Sequence, residues 1–148
     1  MKNKERIGLY AGSFNPFTAG HADIASRALT VFDRVVIAVG VNKAKPACAG
    51  DPAEPIRRLY AAEPRIEVRT FDGLTANLAA ELGATLVRGV RGVRDFEYER
   101  DMADINRRLT GVDTVVFFAS PELGAVSSSV VRELQAFGAD VTPFMPHN

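Results

Sequence analysis

Cysteine is nearly missing from this chain: Cys48 is the only one in 148 residues. A single thiol excludes an intrachain disulfide framework and suits a reducing compartment. Histidine is almost as scarce, with His21 and His147 far apart, so no Cys/His spacing of a metal centre exists and no protein metal ligand is assigned. Net charge is absent too. Eighteen Lys and Arg balance eighteen Asp and Glu, so bulk charge gives no reason to expect nucleic acid or membrane as a partner, and any anion site must be local. No apolar run approaches a membrane span, and the basic stretch Met1 to Arg6 is not followed by one of signal-peptide character. A cytoplasmic protein is expected. There is no P-loop, because no Gly-Lys-Ser/Thr follows a glycine at the required spacing, and no serine sits in a nucleophile elbow. Chemistry on this chain is therefore expected to be electrostatic rather than covalent. The length suits one domain, residues 1–148, with one core.

What is present is alternation. Near-continuous apolar, β-branched runs recur at Ile7–Ala11, Val35–Val41, Ile66–Phe71, Thr85–Val90 and Thr114–Ala119, the pattern of strands buried on both faces. Helical stripes fall between them. Ile24, Ala28, Val31 and Phe32 mark a helix over Ala22 to Phe32, and Leu74, Leu78 and Leu82 mark another before a capping Gly83. Met102, Ile105 and Leu109 form a third stripe, and Val130, Val131 and Leu134 a fourth. This order predicts an α/β fold, a doubly wound parallel sheet of about five strands flanked by helices. The proline-punctuated region 42–64 reads as a loop. In it, either Asp51 caps a helix starting at Pro52 or Glu54 precedes one starting at Pro55; the second is favoured, because a proline in the fourth helical position would lose a backbone hydrogen bond.

The motifs lie just after the strands, where open α/β sheets collect ligands. Gly12-Ser13-Phe14-Asn15-Pro16-Phe17-Thr18-Ala19-Gly20-His21 joins the first strand to the first helix, a place where free N–H groups and the helix dipole favour phosphate. His21 can donate to a phosphoryl oxygen, or simply pack at a helix start. Ser13 and Thr18 can orient phosphate oxygens, or serve ordinary turn chemistry. Lys43 and Lys45 follow the second strand, where a lysine can close over a polyphosphate as a point charge. Arg88 and Arg91 leave the fourth strand around Gly89, with guanidinium forks suited to phosphate. Ser127, Ser128 and Ser129 precede the last helix; one is a natural N-cap, and the others can form a second phosphate cradle.

Together these segments resemble the nucleotidyltransferase superfamily marked by a Thr/His-x-Gly-His loop and a Ser-Ser-Ser/Thr motif, and within it the bacterial phosphopantetheine adenylyltransferases. The resemblance runs from about Ile7 to Pro146 and also rests on Arg-Gly-Val-Arg, Asp-Phe-Glu-Tyr-Glu, Asn106-Arg107 and Val-Ser-Ser-Ser-Val-Val-Arg-Glu. It implies a Rossmann-like nucleotidyltransferase fold and transfer of AMP from ATP to 4′-phosphopantetheine with the help of Mg²⁺, on a homo-oligomer, typically a hexamer. By resemblance His21, Lys45 and Arg91 are catalytic, with His21 stabilising the transition state. Ser13, Lys45, Thr75, Arg88 and Asn106 match acceptor-binding positions. Ser13, Phe14, His21, Gly89, Val90, Arg91 and Glu99 match the nucleotide site, as do Leu123, Gly124, Ala125 and Val126 together with Ser127, Ser128 and Ser129. Asn15 departs from the aspartate usual in the family, and Leu123 from a common aromatic. A sister enzyme acting on another phosphate ester, such as nicotinate mononucleotide, is the nearer alternative; Thr18 and the Glu99 block argue against it. A non-catalytic nucleotide-binding module is the other, and it would not need His21, Lys45 and Arg91 together.

Overall fold

The computed structural model describes residues 4–42 and 50–147. Five parallel strands form one sheet in the order β3-β2-β1-β4-β5: β1 (Ile7–Gly12), β2 (Arg34–Gly40), β3 (Ile66–Phe71), β4 (Thr85–Val90) and β5 (Thr114–Phe118). Helices α1 (Ala19–Ala28), α2 (Glu54–Leu59), α3 (Thr75–Leu82), α4 (Val93–Thr110) and α5 (Ser128–Ala136) flank it. The two faces of the sheet carry separate cores. Tyr10, Ile37, Val39 and Val87 pack with α1 and α2 residues such as Ile24 and Ile56, while Leu9, Val36 and Leu86 pack with Ala76, Leu78 and Ala79 of α3. The expected doubly wound sheet is present, and every expected strand lies within a residue of its place.

Helix ends differ more. The helix expected over 22–32 runs instead from Ala19 to Ala28. It starts early because Thr18 caps it. It stops early because the Thr30 hydroxyl and N–H both donate to the Arg27 carbonyl, the local competition through which threonine unseats a helix. Ile24, Ala28 and Phe32 are buried as the stripe requires, but Val31 is exposed. Helix α2 begins at Glu54, with Pro55 as its second residue rather than its first, and the Asp51 carboxylate accepts from the Ala53 N–H just before it. The Met102, Ile105 and Leu109 stripe exists on α4 but faces outward, all three side chains being exposed. The residue α4 does bury is Glu99.

One break in the sheet positions everything that follows. β1 and β2 pair continuously from Ile7↔Arg34 to Gly12↔Val39, whereas β1 and β4 pair only at Gly8↔Thr85 and Leu9↔Leu86. Beyond Leu9 the two central strands part. Here the chain's order reverses direction across the sheet, so a crevice opens between their carboxyl ends.

Candidate functional site

A cleft of about 490 Å³ occupies that crevice, lined from the β1 end by Ser13 and Phe14, from α1 by His21, and from the β4 end by Arg88, Gly89 and Arg91. Glu99, Leu123 and Val126 also line it, and Ser127, Ser128 and Ser129 close it at the start of α5. These residues come from four separate parts of the chain, and the sheet topology brings them together. Val90, Gly124 and Ala125 stand beside lining residues without lining the cleft themselves. Thr75 opens α3 and Asn106 lies well along α4, and neither borders it. Lys43, Lys45 and Cys48 lie outside the described residues.

His21 is held by a reciprocal cap. It is the third residue of α1, its N–H donates to Thr18 Oγ1 (3.4 Å), and its Nδ1 accepts from the Thr18 N–H (2.9 Å). A backbone N–H can only donate, so Nδ1 carries no proton and the neutral ring keeps its proton on Nε2. Burial, then the cations of Arg88 and Arg91, push the His21 pKa down to about 4. At neutral pH the side chain is an uncharged Nε2–H donor. Thr18 is buried and committed to the cap, so ordinary helix-start chemistry accounts for it.

Aromatic rings fix the His21 plane. The Phe14 ring lies edge-on to His21 at 5.0 Å and the Phe17 ring is tilted by 31° at 5.4 Å between centroids, with Tyr10 edge-on to Phe14 at 5.1 Å. Phe14 adopts a positive φ of 45°, a conformation costing a bulky L-residue roughly 1–2 kcal/mol. Burial of its ring in this cluster offsets that strain.

The arginines differ in their partners. Arg88 grips Glu99 with Nε and Nη2 (2.7 and 2.8 Å) and donates from Nη1 to the Ala11 carbonyl (2.8 Å). Arg91 rests on Asp95 through Nε (2.9 Å). Arg132, which also lines the cleft, donates to the Asn15 carbonyl and to Ser129 Oγ and has no carboxylate partner among the described residues. The formal charge of the cleft thus rests on Arg132, since Arg88 and Arg91 are each matched by a carboxylate.

The serines divide their work. Ser127 is the N-cap of α5, accepting from the Val130 N–H. Ser128 donates to the Pro16 carbonyl (2.8 Å) and ties the two loops together. Sequence reasoning passed over Arg132, Asp95 and Tyr10 as site residues. Arg132 was visible in Ser-Ser-Ser-Val-Val-Arg, one helical turn beyond Ser129, and Asp95 at four residues from Arg91. Tyr10 carries no signal that separates it from the strand around it.

A model of the cytidylyltransferase-like family matches residues 9–134. Phosphopantetheine adenylyltransferase of Porphyromonas gingivalis is 53% identical over 146 residues, covering 97% of this chain and 95% of the relative. The protein of that name from Leuconostoc citreum is 44% identical over 145 residues, covering 95% of this chain and 91% of the relative. Among solved structures, a bifunctional NMN adenylyltransferase/ADP ribose pyrophosphatase of Francisella tularensis, complexed with AMP and a manganese ion, superposes with a TM-score of 0.69 at 14% identity, covering 98% of this chain and 45% of that one.

Proposed function

Since the chain belongs to the phosphopantetheine adenylyltransferases, within the cytidylyltransferase-like group, we propose that it transfers the adenylyl group of ATP to 4′-phosphopantetheine. A phosphate oxygen of the acceptor attacks the α-phosphorus, the bond to the bridging β-oxygen breaks, and dephospho-coenzyme A and pyrophosphate form. This is a step of coenzyme A synthesis, and we place it in the cytoplasm. The acceptor arrives as an anionic nucleophile, so no strong general base is required; positioning and charge stabilisation supply the acceleration.

The observation that carries this reading is the neutral His21, locked as an Nε2–H donor and facing the serine-bearing end of α5 across one cleft. Its N–H donates to a non-bridging oxygen of the α-phosphoryl group as charge builds there. Ser129 and the N–H groups at the start of α5 hold the polyphosphate with Arg91, while Ser128 keeps the two loops together through the Pro16 carbonyl. Ser13, Phe14, Gly89, Leu123 and Val126 surround the nucleotide, with Val90, Gly124 and Ala125 assigned beside them by resemblance. Arg88 takes the acceptor, with Lys45, Thr75 and Asn106 assigned to it by resemblance. Pyrophosphate release with ATP, measured against phosphopantetheine, nicotinate mononucleotide and glycerol 3-phosphate, tests the reading. Activity with the first alone is expected, and turnover of either other acceptor in its place would overturn it.

The family implies Mg²⁺. Among the described residues no group of three or more His, Cys, Asp or Glu could hold a metal ion, and the carboxylates of Glu99 and Asp95 are engaged by arginines. The described residues do not form a protein-built metal site. Magnesium is expected to enter on the phosphates of ATP, and no step here is routed through it.

Homo-oligomerisation, as a hexamer by resemblance, is supported by the outward stripe of α4. Met102, Ile105 and Leu109 follow one another at helical spacing and are all exposed, an apolar strip that a second copy would cover. Among the described residues no helix is long and apolar enough to cross a membrane.

A further inference from the structure

Between β5 and α5 the chain forms a wall of the cleft with little sheet to lean on. β5 is an edge strand, and its ladder ends just past it, where the Ala119 N–H donates to the Val90 carbonyl at 2.8 Å. Beyond that point the backbone bonds to itself in turns, the Leu123 N–H donating to the Ser120 carbonyl and the Val126 N–H to the Leu123 carbonyl. Such turns set local shape but not position against the sheet. Yet Ala119, Leu123 and Val126 all line the cleft.

Helix α1 supplies the missing hold. Ser120 Oγ donates to Asp23 Oδ2 at 2.8 Å. Arg27, one turn further along α1, donates from Nη1 to the same oxygen at 3.3 Å and to the Phe118 carbonyl at 2.6 Å, with its guanidinium 5.6 Å from the centre of the Phe117 ring. The two N–H groups of one Nη1 suffice for both bonds. Asp23 and Arg27 thus clasp the residues on either side of Ala119. At the far end of the segment the Leu123 and Val126 carbonyls rest beside Gly20, 4.0 and 3.6 Å from where a Cβ would stand. None of Asp23, Arg27 and Ser120 borders the cleft itself. His21 lies two residues before Asp23 on the same helix, so one rigid element sets both the donor proposed for the α-phosphoryl group and the wall opposite the nucleoside.

We propose that Asp23, buttressed by Arg27, is a positioning residue that acts through Ser120 to hold the 119–126 segment as a formed wall of the nucleotide site, and so sets ATP affinity without touching substrate. This rests on the proposed placing of the nucleotide against Leu123 and Val126. When the clasp is lost the wall is formed in only a fraction of molecules, and apparent ATP affinity falls by that fraction. The catalytic donor is spared, because His21 is fixed by Thr18 rather than by Asp23.

The test is calorimetric titration of the full chain with ATP alone and with 4′-phosphopantetheine alone, with pyrophosphate release as the kinetic readout. The variants are Asp23→Ala, Arg27→Met, Ser120→Ala, Ser120→Thr and the double variant of Asp23→Ala with Ser120→Ala. Asp23→Ala, Arg27→Met and Ser120→Ala should each weaken ATP binding by about threefold to tenfold, the range of one lost hydrogen bond. Phosphopantetheine binding, and kcat at saturating substrates, should stay within about twofold of wild type. Ser120→Thr keeps the hydroxyl and should restore ATP binding. The double variant should bind ATP no more weakly than Asp23→Ala, since both changes remove one bond. Losses that multiply in the double variant, or equal weakening of both substrates, would overturn the proposal. So would lower thermal stability with ATP affinity unchanged, which would make the clasp a support of the fold alone. Should Asp23→Ala fail to fold, Ser120→Ala against Ser120→Thr carries the test, because it deletes a single hydroxyl from a half-buried loop position. A wild type that binds no ATP sinks the proposed function and this inference with it. A wild type that binds ATP no better than Ser120→Ala sinks the inference alone.

Discussion

His21 shows how one side chain can be set by local physics before any substrate arrives. A preorganised donor aimed at developing charge is typically worth roughly 3–4 kcal/mol, about a hundred- to thousandfold in turnover. His21→Ala should therefore lose that much kcat while its ATP dissociation constant, read by calorimetry, moves only a few-fold. A normal kcat with a raised ATP requirement would make His21 a ground-state binding residue. The same residue has a signature in stability. With its pKa at about 4 in the folded chain and about 6.5 unfolded, the unfolded state binds the extra proton first, so stability is full above pH 6.5 and falls as pH drops toward 4. The loss should be on the order of 2 kcal/mol, seen in urea unfolding at pH 6.5 and 4.5 as a steeper decline for wild type than for His21→Gln. Equal declines would mean that His21 titrates normally. At this scale the sequence was legible where chemistry and spacing coincide, as in Gly20-His21 and Ser127 to Ser129. It was not legible where a partner decides the role. Nothing in the string says that Thr18 would supply an N–H to His21, or that Glu99 would bury itself on Arg88 eleven residues back.

Among the elements, α1 and β4 meet at a point where a side chain would be crowded. A Cβ on Gly89 would lie 3.0 Å from Ile24 Cγ1 and 3.1 Å from its Cδ1. Gly89→Ala should push α1 away from the sheet and carry His21 with it, costing about 1–3 kcal/mol of stability as well as turnover. Ile24→Ala removes the atoms that clash, so the double variant should be less destabilised than the sum of the two single variants. Additive losses in thermal unfolding would show that the contact is not the cause. Strands were easier to read than helix ends for a related reason. Runs such as Val35 to Val39 are buried throughout and state their burial in their composition, while the limits of α1 depend on the Thr18 cap and on where the Thr30 hydroxyl turns. Those are single hydrogen bonds, and no periodicity records them.

The fold class followed from the order of elements and their apolar character, which is a property of the whole chain and survives errors at any one boundary. The outward face of α4 is the exception, since a stripe of Met102, Ile105 and Leu109 reads as core in sequence and is exposed in the folded chain. If copies of the chain cover that stripe, Ile105→Glu should lower the mass measured by light scattering, with the secondary structure seen by circular dichroism unchanged. An unaltered mass for an oligomeric wild type would move the interface elsewhere. A last consequence follows from the bond between Ser128 and the Pro16 carbonyl, which joins positions 112 residues apart. The loop after β1 leaves a ribosome 112 residues before the hydroxyl that steadies it. Closing so long a loop is entropically slow and comes late in folding. Nucleotide competence thus waits for α5, and a chain released before it could gather much of its core and still be unable to grip a polyphosphate.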